Sequence, residues 1–147
     1  MHSPKDPNFE SRVRESFSRQ SLMQTLVAGI TSLAPGEVEI TMPMRAGLSQ
    51  QDGFVHAGVI TAIVDSACGY AALSLTPAGH EVLTIEYKIN FLSPAIGDHF
   101  VARGRVTRAG KTITVCSGEV TAQSGDQSNL IASMLATMMV IGPIRHS

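Results

Sequence analysis

Apolar residues recur at helical spacing near the start of the chain: Phe9, Val13 and Phe17, then Leu22, Leu26 and Ile30. The phase slips across Ser18–Ser21, so the spacing predicts one bent helix or two short ones over 9–30. Residues 1–8, broken by Pro4 and Pro7, are expected to form a loose start. After the Pro35-Gly36 turn signal, Val38, Ile40, Met42 and Met44 alternate with mostly polar partners, which marks a strand with one buried face. Pro43 lacks an N–H donor and is expected at an edge or a bulge near the end of that strand.

Ala57 to Leu73 is too long for an ordinary strand and rich in Ala, which predicts a helix. It is apolar nearly all round, as in a helix wrapped by the rest of a fold. Its small residues, among them Gly58, Ala62, Ala67 and Gly69, let a sheet come close. Four strands follow. In the first, Ile85, Tyr87, Ile89 and Phe91 alternate with Glu86, Lys88 and Asn90; in the second, Phe100, Ala102, Gly104 and Val106 share a face. The Ala109-Gly110 turn and the polar QSGDQSN segment read as hairpin links, so the sheet is largely antiparallel. LIASMLATMMVI is apolar at both parities and is expected to be buried on both faces. Together these elements predict an α+β fold, an antiparallel β-sheet wrapped around a long central α-helix with an N-terminal helix before it.

Composition narrows the function classes. A chain of 147 residues forms one domain with a sizeable core, and its net charge of −1 argues against a nucleic-acid partner. The apolar run from Val59 to Leu75 is interrupted by Asp65 and lacks charged flanks, so no membrane span is expected. The polar N-terminus has no secretory h-region, and Cys68 and Cys116 read as buried reduced thiols, which predicts a cytoplasmic protein. There is no Gly-x-Ser-x-Gly elbow, no Walker loop and no Gly-x-Gly-x-x-Gly; the 5 histidines show no metal-ligand spacing. Neither a metal nor a bound redox cofactor is expected.

Two residues carry candidate chemistry. On a helix, Asp65 shares a face with Gly58, Thr61, Ala62 and Gly69. It either satisfies a structural hydrogen bond, or stands beside a cavity where burial raises its pKa towards that of a general base. His56 sits just before the helix, where free N–H groups and the positive dipole end favour an oxyanion, although taken alone a surface or packing histidine is the favoured reading. Nine residues of helical rise separate the two by roughly 13 Å. They meet only in a two-fold dimer with antiparallel central helices.

Three segments carry a resemblance: QQDGFVHAG (Gln50 to Gly58) followed by Asp65, IEYKINFLSPAIGD with its Ser93-Pro94-Ala95 turn, and RGRVTRAGKTITVCSGEV. In order and spacing they resemble the hotdog-fold acyl-CoA thioesterases, the 4-hydroxybenzoyl-CoA thioesterase superfamily, and specifically the phenylacetate-pathway group. The likeness covers about Ser32 to Val140. It implies a hotdog domain over 32–142, an N-terminal helical segment over 1–31 and a tail over 143–147. It also implies hydrolysis of an acyl-CoA substrate, no cofactor, and a homodimer or homotetramer with the active site shared between subunits.

The resemblance assigns roles. Asp65 is the base that activates water or a nucleophile that forms a mixed anhydride. The Ala57 N–H, with Gly58 beside it, polarises the thioester carbonyl; His56 shapes the turn, Thr84 helps hold the water, and Gln50 and Gly53 complete the loop. Val59 belongs to the acyl pocket wall, and Arg108 and Lys111 are placed to meet the phosphates of coenzyme A. Arg103 and Arg105 read as a solvated strand face, and Met134, Met138 and Met139 as core. Two positions depart from the family pattern: Gln50 stands for Asn, and Ala57 for a Gly, where a left-handed backbone would cost ~1 kcal/mol. The rivals are a non-catalytic acyl-CoA binder and a hydroxyacyl-thioester dehydratase, which would pair a His with an acid across one site. The acyl group, and coenzyme A against acyl carrier protein, stay open.

Overall fold

The computed structural model describes residues 1–143. The N-terminal helical pattern resolves into two pieces, α1 (Phe9–Arg19) and α2 (Ser21–Thr25), with the break at the phase slip. The helical spacing extends too far, because Ile30 lies in a strand, β1 (Gly29–Ala34). Val27, with φ 55, turns the chain out of α2, and pairing of Ile30 with Ile40 and Leu33 with Val38 then overrides the local pattern. The start of the chain is not loose. Asp6 is buried and pairs with Arg12 Nε at 2.9 Å, and the Arg12 guanidinium donates to the carbonyls of Leu73, Thr76 and His80. A chain start with few apolar residues is thus held by one arginine, which hydrophobic patterning does not register.

The remaining elements are β2 (Glu37–Pro43), α3 (Ala57–Leu73), β3 (Glu81–Phe91), β4 (His99–Ala109), β5 (Ile113–Ser124) and β6 (Gln127–Ile141). The sheet runs in the order β1-β2-β4-β5-β6-β3, antiparallel throughout. Pro43 closes β2 opposite His99, beyond Thr41 where the β1 pairing stops, so its missing N–H faces no neighbouring strand. The sheet wraps α3, burying Ile60, Ile63, Val64, Ala67 and Ala71 against Phe100, Ala102, Val120, Met134 and Met138. Of the tail over 143–147, only Pro143 lies within the described residues.

The approach of helix and sheet is as close as the small residues of α3 suggest. A Cβ on Gly104 of β4 would lie 2.3 Å from the Ala67 backbone, and one on Gly118 of β5 2.6 Å from the Val64 side chain. Backbone has nowhere to move in a core of interior packing density. Gly104→Val is therefore expected to cost about 4 kcal/mol or more. Urea titration followed by circular dichroism checks this, as the cooperative transition should weaken or vanish.

Two expectations about burial need correction. β6 buries one face only, through Met134, Ala136 and Met138, while Leu130, Leu135 and Met139 are exposed on the outer face. Met139 is therefore not core. The second concerns β3, the edge strand, where Tyr87 and Phe91 remain nearly half exposed (46% and 48%) in the single chain. A register shift between Thr84 and Glu86 leaves Ile85 as the extra residue of a bulge. It puts Thr84 and Tyr87 on the same, helix-facing side, opposite the buried Met138 and Ala136, although their parity in the sequence differs.

Candidate active site

The segment from Gln50 to Gly58 is a tight loop ending in a helix start. Gln50 N–H donates to the Phe54 carbonyl (2.8 Å), and Gly53 N–H to the Gln50 carbonyl (3.1 Å). Gly53 has φ +86, a conformation that suits glycine. The Gln50 side-chain carbonyl accepts from Asp52 N–H, which fixes the amide within the loop. His56 N–H and Val55 N–H bond to the carbonyls of Leu48 (2.9 Å) and Ala95 (3.1 Å), anchoring the loop to the rest of the domain.

His56 is the N-cap of α3, with φ −59 and ψ 136. Its Nδ1 accepts from Gly58 N–H at 2.8 Å, so in the neutral ring the proton sits on Nε2. A Cβ on Gly58 would come within 3.0 Å of that Nδ1, so a glycine there makes room for the cap. The His56 carbonyl already takes the N–H groups of Val59 (2.9 Å) and Ile60 (3.3 Å). Among the first donors of α3, the Ala57 N–H is left without a protein acceptor among the described residues. Gly58 is committed to the cap and is not a second free donor. Ala57 opens the helix in right-handed conformation, so the strain considered for a left-handed backbone there does not arise; Val27 is the one non-glycine with positive φ among the described residues.

Asp65 lies two turns further along α3, half-buried, and α3 is unbroken around it. Its Oδ1 accepts from Thr84 Oγ1 at 2.8 Å, across the bulge of β3. Burial pushes the Asp65 carboxyl above its ordinary range, and the Thr84 hydrogen bond opposes this in part.

The site residues divide between two cavities in one chain. A cleft of about 610 Å³ is lined by Gln50, His56 and Ala57, with Phe54, Phe91 and Pro94. A smaller cavity of about 160 Å³ holds Asp65 and Thr84, with Ser16, Gln20, Tyr70 and Glu81. Gly53 shapes the loop of the first, whereas Val59 lines neither. Arg108 and Lys111 are exposed at the β4–β5 turn, away from both; Lys111 shares a shallow notch with Lys5 and Thr76. Arg103 pairs with Glu39 (2.7 Å) and Arg105 with Glu37 (3.2 Å) on the outer face of the sheet, as a solvated strand face would. Patterning gave no sign of Ser16 and Gln20. The one available signal is that Gln20 occupies the phase slip between α1 and α2. Among the described residues no three His, Cys, Asp or Glu side chains gather as a metal site, and no helix is long and apolar enough to cross a membrane.

A sheet wrapped around one long helix, with a carboxylate on that helix, defines a hotdog-fold protein. The chain superposes on a thioesterase family protein from Silicibacter pomeroyi with a TM-score of 0.89 and 46% identity, covering 90% of this chain and 98% of that one. The Escherichia coli PaaI protein of the phenylacetic acid degradation operon shares the fold, with a TM-score of 0.83 and 23% identity over 92% of this chain and 94% of its own. The medium/long-chain acyl-CoA thioesterase YigI of Escherichia coli is 30% identical over 111 residues, 67% of this chain and 69% of YigI. Residues 52–128 match the profile of the Thioesterase superfamily. The chain belongs to that superfamily and is a thioester hydrolase.

Proposed function

We propose that the protein hydrolyses acyl-CoA thioesters at a site completed by two chains, Asp65 of one acting as general base and the Ala57 N–H of the other holding the oxyanion. The observation that carries this reading is the Asp65 carboxylate, desolvated and fixed by Thr84 in a cavity separate from the only free donor of the α3 start. Antiparallel packing of two copies of α3 brings the two cavities together, which no movement within one chain does. The unpaired edge strand β3, with Leu83, Ile85 and Tyr87 about half exposed, supports pairing with a second copy there.

In this mechanism water gives a proton to the Asp65 carboxylate as its oxygen bonds to the carbonyl carbon. The Ala57 N–H takes the developing oxyanion, with the α3 dipole behind it. The intermediate collapses, the C–S bond breaks, and the proton passes from Asp65 to the departing thiolate. Thr84 holds Asp65 in register, and His56 supports the carbonyl side through its capped turn and its Nε2–H. Gln50 lends its amide N–H₂ to the thioester, since its carbonyl is taken by Asp52. Burial raises the Cys68 thiol and pushes Cys116 up to about 12, consistent with inert reduced thiols and a cytoplasmic location. Release of free thiol from a panel of acyl-CoAs tests the reading. Turnover is expected with at least one short or medium chain, and acyl-CoA binding with no thiol release would leave a binder instead.

A further inference from the structure

The N-terminal helices have no part in the chemistry above, yet α1 ends over the cavity beside Asp65. We propose that Gln20, with Ser16 and Tyr70, forms the far wall of the acyl pocket and selects a compact, uncharged acyl group that carries a hydrogen-bonding substituent. This rests on the hydrolase reading and names the substrate class of the same site.

Three observations carry it. The first is size: the cavity measures about 160 Å³, and an apolar cavity of about 150 Å³ holds a molecule of benzene's bulk. Its walls include Leu73 and Tyr70, whose ring is held edge-on by Phe17 of α1 with centroids 5.6 Å apart. A long acyl chain exceeds that volume.

The second is polarity. Ser16, Gln20, Ser66, Tyr70 and Thr84 all bring hydrogen-bonding groups to this small space. A purely apolar acyl group would strip water from them and return nothing, which selects against it. Glu81 at the rim disfavours an acyl group ending in a second carboxylate.

The third is spare capacity. The Gln20 amide reaches the Ser66 hydroxyl only at 3.4 and 3.5 Å, the weak end of hydrogen-bond geometry. An amide with two donors and an acceptor, so poorly engaged and half-buried, has bonds to offer a ligand.

The test compares kcat/KM for 3-hydroxybutanoyl-CoA, butanoyl-CoA and dodecanoyl-CoA. The native protein is expected to favour the hydroxylated substrate over butanoyl-CoA about tenfold, and to favour both over dodecanoyl-CoA. Gln20→Leu should lower the hydroxyl-to-plain ratio about fivefold or more, and Ser16→Ala should lower it in the same direction should Gln20→Leu fail to fold. A purely structural role for Gln20 scales both rates together and leaves the ratio unchanged, which overturns the proposal. Dodecanoyl-CoA as the best substrate also overturns it, placing the acyl chain in the larger cleft while leaving the hydrolase reading intact. No thiol release from any of the three, nor from the wider panel, removes the hydrolase reading and this inference together.

Discussion

Asp65→Asn is expected to lower kcat for thioester hydrolysis by about a hundredfold to ten-thousandfold, the usual range for a positioned general base. Asn keeps the shape and the oxygen that accepts from Thr84, so acyl-CoA binding should survive. The fold should survive too. Because the folded protein raises the Asp65 pKa, it favours the neutral carboxyl over the carboxylate. That preference stabilises the fold below the unfolded pKa and is lost as the pH rises through the raised folded value. At neutral pH the ionised Asp65 is thus a burden that Asn does not carry. Asp65→Asn should unfold at a temperature no lower than native at pH 7, and its relative advantage should disappear in acid. In the native enzyme, the acid limb of kcat/KM should lie above the ordinary carboxylate range. Stopped activity together with lowered thermal stability would point instead to a structural carboxylate.

Ala57→Pro removes one N–H donor from the other half of the site. Proline is accommodated at the first position of a helix, where its fixed φ suits the turn and its missing N–H breaks no intrahelical bond. The residue before a proline must be extended, and His56 already is, at φ −59 and ψ 136. The helix and the His56 cap on Gly58 should therefore persist while the one free donor is lost. The expected fall in kcat is about a hundredfold to a thousandfold, as for removal of an oxyanion donor. Unchanged circular dichroism and thermal unfolding would separate this loss from misfolding. Retained activity would move the oxyanion elsewhere on the loop.

Much of this architecture is legible in the sequence for physical reasons. The period-2 alternation over β2, β4 and β5 matches their buried faces because each has α3 on one side and solvent on the other. The bounds of α3 are legible because Ala-rich helix propensity and burial agree along its whole length. Where two levels disagree, the pattern misleads. At Ile30, helical spacing competes with strand pairing and loses. On β6, apolar residues at both parities suggest two buried faces, and one of those faces is open in the single chain.

The site shows the same division. His56 and Asp65 stand out because a histidine at a helix start and a carboxylate in an apolar helix are both unusual enough to need a reason. Thr84 came through resemblance alone, since the bulge that brings it to Asp65 leaves no periodic trace. Gln20 and Ser16 reach the cavity through the packing of α1 across α3, a long-range contact with no local pattern. Val59, Arg108 and Lys111 line neither cavity in one chain. Any role for them depends on what a second copy places nearby.

In the proposed mechanism each active site takes Asp65 from one chain and the Ala57 N–H from another. Co-expression of Asp65→Asn and Ala57→Pro chains under different affinity tags, with purification of doubly tagged assemblies, tests it directly. A shared site predicts thiol release from acyl-CoA far above that of either variant alone, because pairing the two chains restores one site with both groups intact. A rate no higher than that of the separate variants would contradict it and mean that the two groups do not serve one reacting carbonyl.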